Sequence, residues 1–186
     1  MAVLIGADPE LFIKMGDEYM SAYGVIPGTK EKPFPVENGA VQVDGMAVEF
    51  NITPTDNEDE FVHYIQSVQS TLENMVKKTN SKYELDIVPY AEFSEDVMKT
   101  QPKEALELGC DPDFNPYDKC ENPRPELPEG CNFRTAAGHV HIGWTEGVDP
   151  NDPEHIEACE MLAKQLDYYL GAPSRLFDSD NDRRQL

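Results

Sequence analysis

Apolar residues keep a strand rhythm through the first part of this chain and a helical rhythm after it. Residues 2–5 (AVLI) and 11–13 (LFI) are strand-like and flank Gly6-Ala-Asp-Pro-Glu10. From Gly16 to Glu37 glycine, proline and charge accumulate, which predicts a hairpin followed by a loop at Pro27-Gly-Thr-Lys30. Val41 to Asn51 (VQVDGMAVEFN) alternates as one long strand or as two short ones turning at Asp44-Gly45. Then the period changes. Phe61, Ile65, Val68, Leu72 and Val76 recur at helical spacing, Thr55-Asp-Asn-Glu58 reads as a capping box, and Lys77-Lys78 suit a C-terminus. A helix over about 56–78 is expected. Leu85 to Pro89 reads as a short strand, and Pro102 to Asn132 as a proline-rich loop with a helical candidate near Glu104–Leu108. Arg134 to Trp144 (RTAAGHVHIGW) has strand propensity. Asn151 or Asp152 then caps a second helix that Pro153 opens. Its stripe is Ile156, Cys159, Ala163, Leu166 and Leu170, Cys159 reads as core, and Gly171-Ala-Pro173 is expected to end it.

Composition adds a strong charge bias. The chain has 186 residues, 39% hydrophobic and 27% charged, enough for one domain with a real core. Thirty-six acidic against fifteen basic side chains give a net charge of −21. Such a surface repels nucleic acid and anionic membranes, so neither is expected as a direct partner. ATP would also be repelled unless cations or a local basic patch intervene. No apolar run reaches the length of a membrane span and the N-terminus has no signal-type segment, so a soluble, cytoplasmic protein is expected. Cys110, Cys120, Cys131 and Cys159 lack close metal-site spacing and read as free thiols, with a bridge or metal among the first three as the alternative.

The chemistry lies in pairs two residues apart. His139 and His141 would project from one face of a strand, able to bind a metal or, when protonated, a phosphate. Gly138 and Gly143 bracket them and would admit a ligand or another backbone. Half-buried, hydrogen-bonded histidines are the simpler alternative. Asp8 and Glu10 likewise share a face if the chain is extended there, whereas Asp8-Pro9 alone would serve as a turn. Glu49 sits between Val48 and Phe50, where an unpaired carboxylate would be costly, so it is either paired, metal-bound or turned outward. Lys30 on its glycine-containing loop could reach a phosphate. Asp8, Glu10 and Glu49 on two strands and His139 and His141 on a third make a carboxylate-rich set, suited to Mg²⁺ or Mn²⁺ rather than structural zinc.

The ordered segments GADPELFI, VQVDGMAVEFN and RTAAGHVHIGW, with PGTKE, GCDPD, NPRP and the terminal DxDxxRR, resemble the phage phiEco32-type carboxylate-amine ligases (amidoligases). These are remote relatives of glutamine synthetase and gamma-glutamylcysteine ligase. The resemblance implies an α+β, glutamine synthetase-like catalytic domain: a mostly antiparallel sheet, helices near 56–78 and 152–170 on one face, and a concave metal and ATP site on the other. It implies a single domain over 1–186 that is C-terminally incomplete, because the family continues into a further strand. It implies Asp8, Glu10, Glu49 and His139 as metal ligands, with Asp44 a further ligand or only the turn residue. His139, His141, Lys30 and Arg134 would contact the nucleotide, and Glu49, Arg183 and Arg184 would serve the chemistry. The implied activity is ATP-dependent amide formation through an acyl phosphate, joining small-molecule or peptide carboxylate and amine substrates. Two rival readings remain: a catalytically inactive, truncated relative acting as a ligand- or protein-binding module, and a His-x-His metal oxygenase or hydrolase, which the Asp8–Glu10 strand and paired arginines disfavour.

Overall fold

The computed structural model describes residues 3–106, 114–123, 130–144 and 147–177. In chain order the described elements are β1 (Leu4–Met15), β2 (Glu18–Met20), β3 (Phe34–Val36), β4 (Gly39–Asp44), β5 (Ala47–Ile52), α1 (Glu58–Thr79), β6 (Glu84–Asp86), β7 (Tyr90–Glu92), α2 (Glu95–Lys99), α3 (Lys103–Leu106), β8 (Phe114–Asn115), β9 (Cys120–Glu121), β10 (Phe133–Thr135), β11 (Gly138–Gly143) and α4 (Pro153–Leu166). A π turn (Asp167–Gly171) and α5 (Ala172–Ser174) follow. The chain is thus mixed α and β, and every named strand pair is antiparallel. Contacts divide it into two compact units, one of residues 1–109 and 129–144 and one of residues 110–128 and 145–186.

The first unit is built on β1. The sheet order is β11-β1-β5-β4-β3, with β2 and β6 also paired to β1, so the sheet curls around one long strand that changes partners along its length. Alternation sorts its faces. Ala7, Leu11, Ile13, Val41, Val48, Phe50 and Ile52 point one way and meet Val68, Leu72 and Val76 of α1. Each of those three helix residues is fully buried, a gain of about 1.5–3 kcal/mol apiece. Phe61 and Ile65 extend the same stripe as partly buried neighbours. On the other face Phe12, Met46, Ala47, Ala91, Phe93 and Ala105 form a second cluster, with Phe12 edge-on to Phe93 at 5.8 Å.

The hairpin of β4 and β5 resolves the ambiguity at 41–51 in favour of two strands. Asp44 pairs with Ala47, and Gly45 takes the first loop position with φ +55, a conformation glycine adopts freely. The start of α1 differs from expectation. Asn57, not Thr55, is the N-cap, accepting from the Glu60 backbone N–H at 3.0 Å. Thr55 cannot serve, because its backbone is bridged to Ile5 in both directions; its hydroxyl instead donates to Glu60 Oε2 at 2.7 Å.

Gly28 fixes the loop that carries Lys30. Its φ is +93, its carbonyl accepts from Val43 N, and a Cβ there would lie 2.4 Å from the Val41 carbonyl oxygen. Gly28→Ala is therefore expected to destabilise the protein by about 2 kcal/mol or more, read as a fall in the urea midpoint. An unchanged midpoint would contradict this packing.

In the second unit, α4 is capped by Asp152, which accepts from Glu154 N and His155 N. The structure corrects three expectations here. No residue of α4 is buried, and Cys159 is exposed rather than core, its Sγ 3.6 Å from His155 Nε2. The reason lies in which helix side meets the β8–β9 hairpin. Lys119 pairs with Glu160, Lys164 lies over the Tyr117 ring and Tyr117 Oη donates to Asp167, so the hairpin engages the polar side and leaves the apolar stripe outside. Nor do Gly171 and Pro173 end the helical path. The π turn sets Ala172 N–H on the Asp167 carbonyl, and Pro173 falls in the first turn of α5, where no donor is required.

Cys120, Cys131 and Cys159 are free thiols; Cys110 lies outside the described residues. Among the described residues no helix is long and apolar enough to cross a membrane.

Candidate functional site

Strand register assembles the site on the face of the sheet opposite α1. Along β1, Asp8 and Glu10 share that face; β11 pairs so that His139 lies directly across from Asp8 and His141 across from Gly6. Asp8 then meets both imidazoles, with Oδ1 3.4 Å from His139 Nδ1 and Oδ2 3.0 Å from His141 Nε2. The histidines are 48% and 66% exposed and Asp8 19%, so the rings open to solvent while the carboxylate sits beneath them. Gly138 and Gly143 are not required for close approach: a Cβ at Gly138 would make ordinary contact with Pro9, and at Gly143 would meet nothing.

On the other side of β1 the register places Glu10 across from Glu49, and Glu49 across from Gln42. Like charges directly opposite one another destabilise a sheet, and here one partner, Glu49, is only 6% exposed. Asp44, two residues from Gln42 on the same strand, completes the group: ligand oxygens of Glu10, Asp44 and Glu49 all lie within 4.8 Å of one another. Gln42 Nε2 donates to Glu49 Oε2 at 2.6 Å, and the Ala137 N–H donates to Glu10 Oε2 at 2.8 Å. Lys30 Nζ stands 3.6 Å from Asp44 Oδ2 at the rim.

The electrostatics follow from this crowding. Burial pushes the Glu49 carboxyl up to about 7, with repulsion from Asp44, Asp8 and Glu10 adding to it and the Gln42 hydrogen bond opposing it. Glu10 is raised for the same first reason, and Asp44 adds repulsion; the Ala137 N–H, His139 and Lys30 pull the other way. Two buried oxygens here, Asp8 Oδ1 and Gln42 Oε1, have no hydrogen-bond partner. An acidic cluster with orphaned acceptors and an oxygen-only core fits a hard divalent cation such as Mg²⁺ or Mn²⁺.

The structure thus brings together Asp8, Glu10, Glu49, His139 and His141, with Lys30 at the edge, and adds Asp44 and Gln42. Asp44 enters as one of the three close carboxylates, whereas His139 and Asp8 stand beside that group as a neighbouring cluster. Gln42 was legible in principle: once Asp44 and Ala47 close the hairpin, counting back equally on both strands puts Gln42 against Glu49.

Arg134 does not join them. It lies in β10, paired with β7 in a separate two-stranded sheet, 7% exposed. Its guanidinium donates to the carbonyls of Cys131 (3.2 Å), Phe133 (2.7 Å) and Leu106 (2.8 Å), and burial lowers its pKa. Arg183 and Arg184 lie outside the described residues.

The chain matches no protein-family model, no curated protein and no solved structure.

Proposed function

We propose that this protein is an ATP-dependent carboxylate-amine ligase whose nucleotide is held through Mg²⁺ or Mn²⁺ at the Glu10, Asp44 and Glu49 cluster. The observation that carries the reading is the convergence of these three carboxylates, one of them buried, on a single sheet face beside Asp8 and the two histidines. Charge repulsion of this kind is costly in a fold and is relieved when a cation binds. The sequence resemblance of the β1, β4–β5 and β11 segments to the amidoligases supports the same reading, and it supplies the reaction class.

In that reaction a substrate carboxylate oxygen attacks the γ-phosphorus of ATP and ADP leaves. The amine nitrogen then attacks the acyl carbon of the acyl phosphate, and inorganic phosphate leaves with the amide formed. A bound divalent cation supplies neutralisation of phosphate charge during transfer. The residues of the chain do the rest. Glu10, Asp44 and Glu49 offer the oxygen ligands, and Gln42 and the Ala137 N–H hold two of them in place. Asp8 orients His141 through a hydrogen bond and stands 3.4 Å from His139, and the two exposed rings would offer contacts to phosphate oxygens. Lys30 adds positive charge at the rim of a chain that carries −21 overall.

Calorimetric titration of ATP with and without Mg²⁺ checks this directly. ATP is expected to bind when Mg²⁺ is present and to lose at least about tenfold in affinity in EDTA. Equal affinity under both conditions, or no binding in either, would remove the ligase reading.

A further inference from the structure

His155 and Cys159 stand one helical turn apart on α4, a spacing that sets their side chains on one face. Cys159 is an exposed free thiol, and its Sγ lies 3.6 Å from His155 Nε2. In a tetrahedral zinc site, sulfur at about 2.3 Å and nitrogen at about 2.0–2.1 Å span an edge of about 3.5–3.6 Å. The pair already has that edge. Without an ion the contact is a weak thiol–imidazole hydrogen bond. With zinc, the thiol proton leaves to solvent and the ion takes its place. Two histidines at i and i+4 of a helix bind zinc through the same spacing.

Two ligands leave a tetrahedral ion half coordinated. The described residues set no third metal-ligating side chain beside the pair. What lies beside it is apolar and exposed. Ile156 is 41% exposed, and Ala163, one turn beyond Cys159, is exposed as well. No residue of α4 is buried, so the stripe has no cover among the described residues. A two-fold axis at this stripe would bring the same His–Cys pair of a second copy to the same point, and Ala163 keeps the approach close. Charge decides whether the copies meet unaided. Each chain carries −21, so repulsion opposes pairing through so short a stripe. Zinc held by two thiolates and two imidazoles is neutral, and its bonds supply the attraction that the stripe lacks.

We propose that His155 and Cys159 form one half of an intermolecular zinc site, completed by the same two residues of a second copy. The α4 stripe is then covered by another α4. The chemistry differs from that of Glu10, Asp44 and Glu49: thiolate and imidazole select zinc, whereas carboxylate oxygens suit Mg²⁺ or Mn²⁺. The site stands or falls independently of the ligase reading.

The test uses the full chain, with Co²⁺ as a spectroscopic stand-in for zinc. Co²⁺ is expected to give a thiolate-to-cobalt charge-transfer band that saturates at about one ion per two chains. Oxygen-ligated cobalt gives no such band, which separates this site from the carboxylate cluster. Light scattering with Zn²⁺ is expected to report twice the monomer mass, and EDTA should return the monomer. Cys159→Ser and His155→Gln should each weaken zinc-dependent dimerisation by about tenfold or more, and Cys159→Ser should lose the band. Cys120→Ser should keep both. Neither His155 nor Cys159 is buried, so these variants keep the fold. A band saturating at one ion per chain without a change in mass would overturn the proposal. So would a band that survives Cys159→Ser, wild-type dimerisation in either α4 variant, a dimer that EDTA leaves intact, or no band in the wild type.

Discussion

Glu49→Gln is expected to weaken Mn²⁺ binding about 100-fold or more, and at the same time to stabilise the cation-free protein above neutral pH. The two effects share one cause. Glu49 is buried, lies across from Glu10 and feels Asp44 and Asp8, and its carboxyl is pushed up to about 7 from an ordinary 4.5. Between those values the folded state holds a proton that the unfolded state has released. Stability contributed by Glu49 is therefore greatest at low pH, falls as pH rises through that window, and is lost above about 7. Each pKa unit corresponds to about 1.4 kcal/mol, and with the site face reached by solvent the net cost at pH 8 is discounted to roughly 1–2 kcal/mol. The glutamine variant removes that cost and keeps an acceptor for the Gln42 N–H. Urea unfolding at pH 5 and pH 8 without divalent cation checks the sign: the wild type should lose stability relative to Glu49→Gln on going from the lower to the higher pH. A glutamine variant that is less stable at pH 8 would mean that Glu49 is held by favourable partners, and it would remove the electrostatic argument for a cation there.

A buried carboxylate that costs its fold stability at neutral pH is what the proposed cation site would require of a ligand. The contrast with the core runs through the molecule. Val68, Leu72 and Val76 face a covered apolar layer and have one satisfactory arrangement, whereas Glu10, Asp44 and Glu49 are held together by strand register against their mutual repulsion. The backbone ladder supplies the constraint, since shifting any strand by one residue would turn the apolar set of Val41, Val48 and Leu11 to the wrong face.

That distinction also explains what could be read from the residues alone. The stripe of α1, the sharing of a face by Asp8 and Glu10 and that by His139 and His141 follow from period alone, whereas the meeting of Asp8 with the two histidines comes from the register of β1 with β11. The turn at Gly45 needed only glycine's freedom at positive φ. Where tertiary partners decide, pattern was insufficient. The stripe of α4 has an apolar period as regular as that of α1, yet the hairpin beside it binds the opposite side through Glu160, Lys164 and Asp167. Thr55 has the right chemistry for a cap but its backbone is engaged with Ile5. Gln42 carries no charge and belongs to no motif, so its place in the cluster emerges only from register.

Arg134, which the resemblance would set at the nucleotide, lies in the separate β7–β10 sheet, and Arg134→Met is expected to cost roughly 2–4 kcal/mol of stability while leaving Mn²⁺ affinity unchanged. Three carbonyls, of Cys131, Phe133 and Leu106, would lose a charged donor at once, tying β10 less firmly to α3. Charge-assisted bonds are worth about 1.5–3 kcal/mol each, and relief of burying a guanidinium offsets part of their loss. The offset is incomplete because methionine offers the three carbonyls no donor. Arg134→Lys, with a single ammonium, should fall between the two. Urea denaturation measures the cost, and Mn²⁺ and Mg-ATP titrations of the same variants decide its meaning. A variant with unchanged stability but weakened Mg-ATP binding would return Arg134 to the nucleotide site; the expected loss of stability with intact binding makes it a brace between β10 and α3.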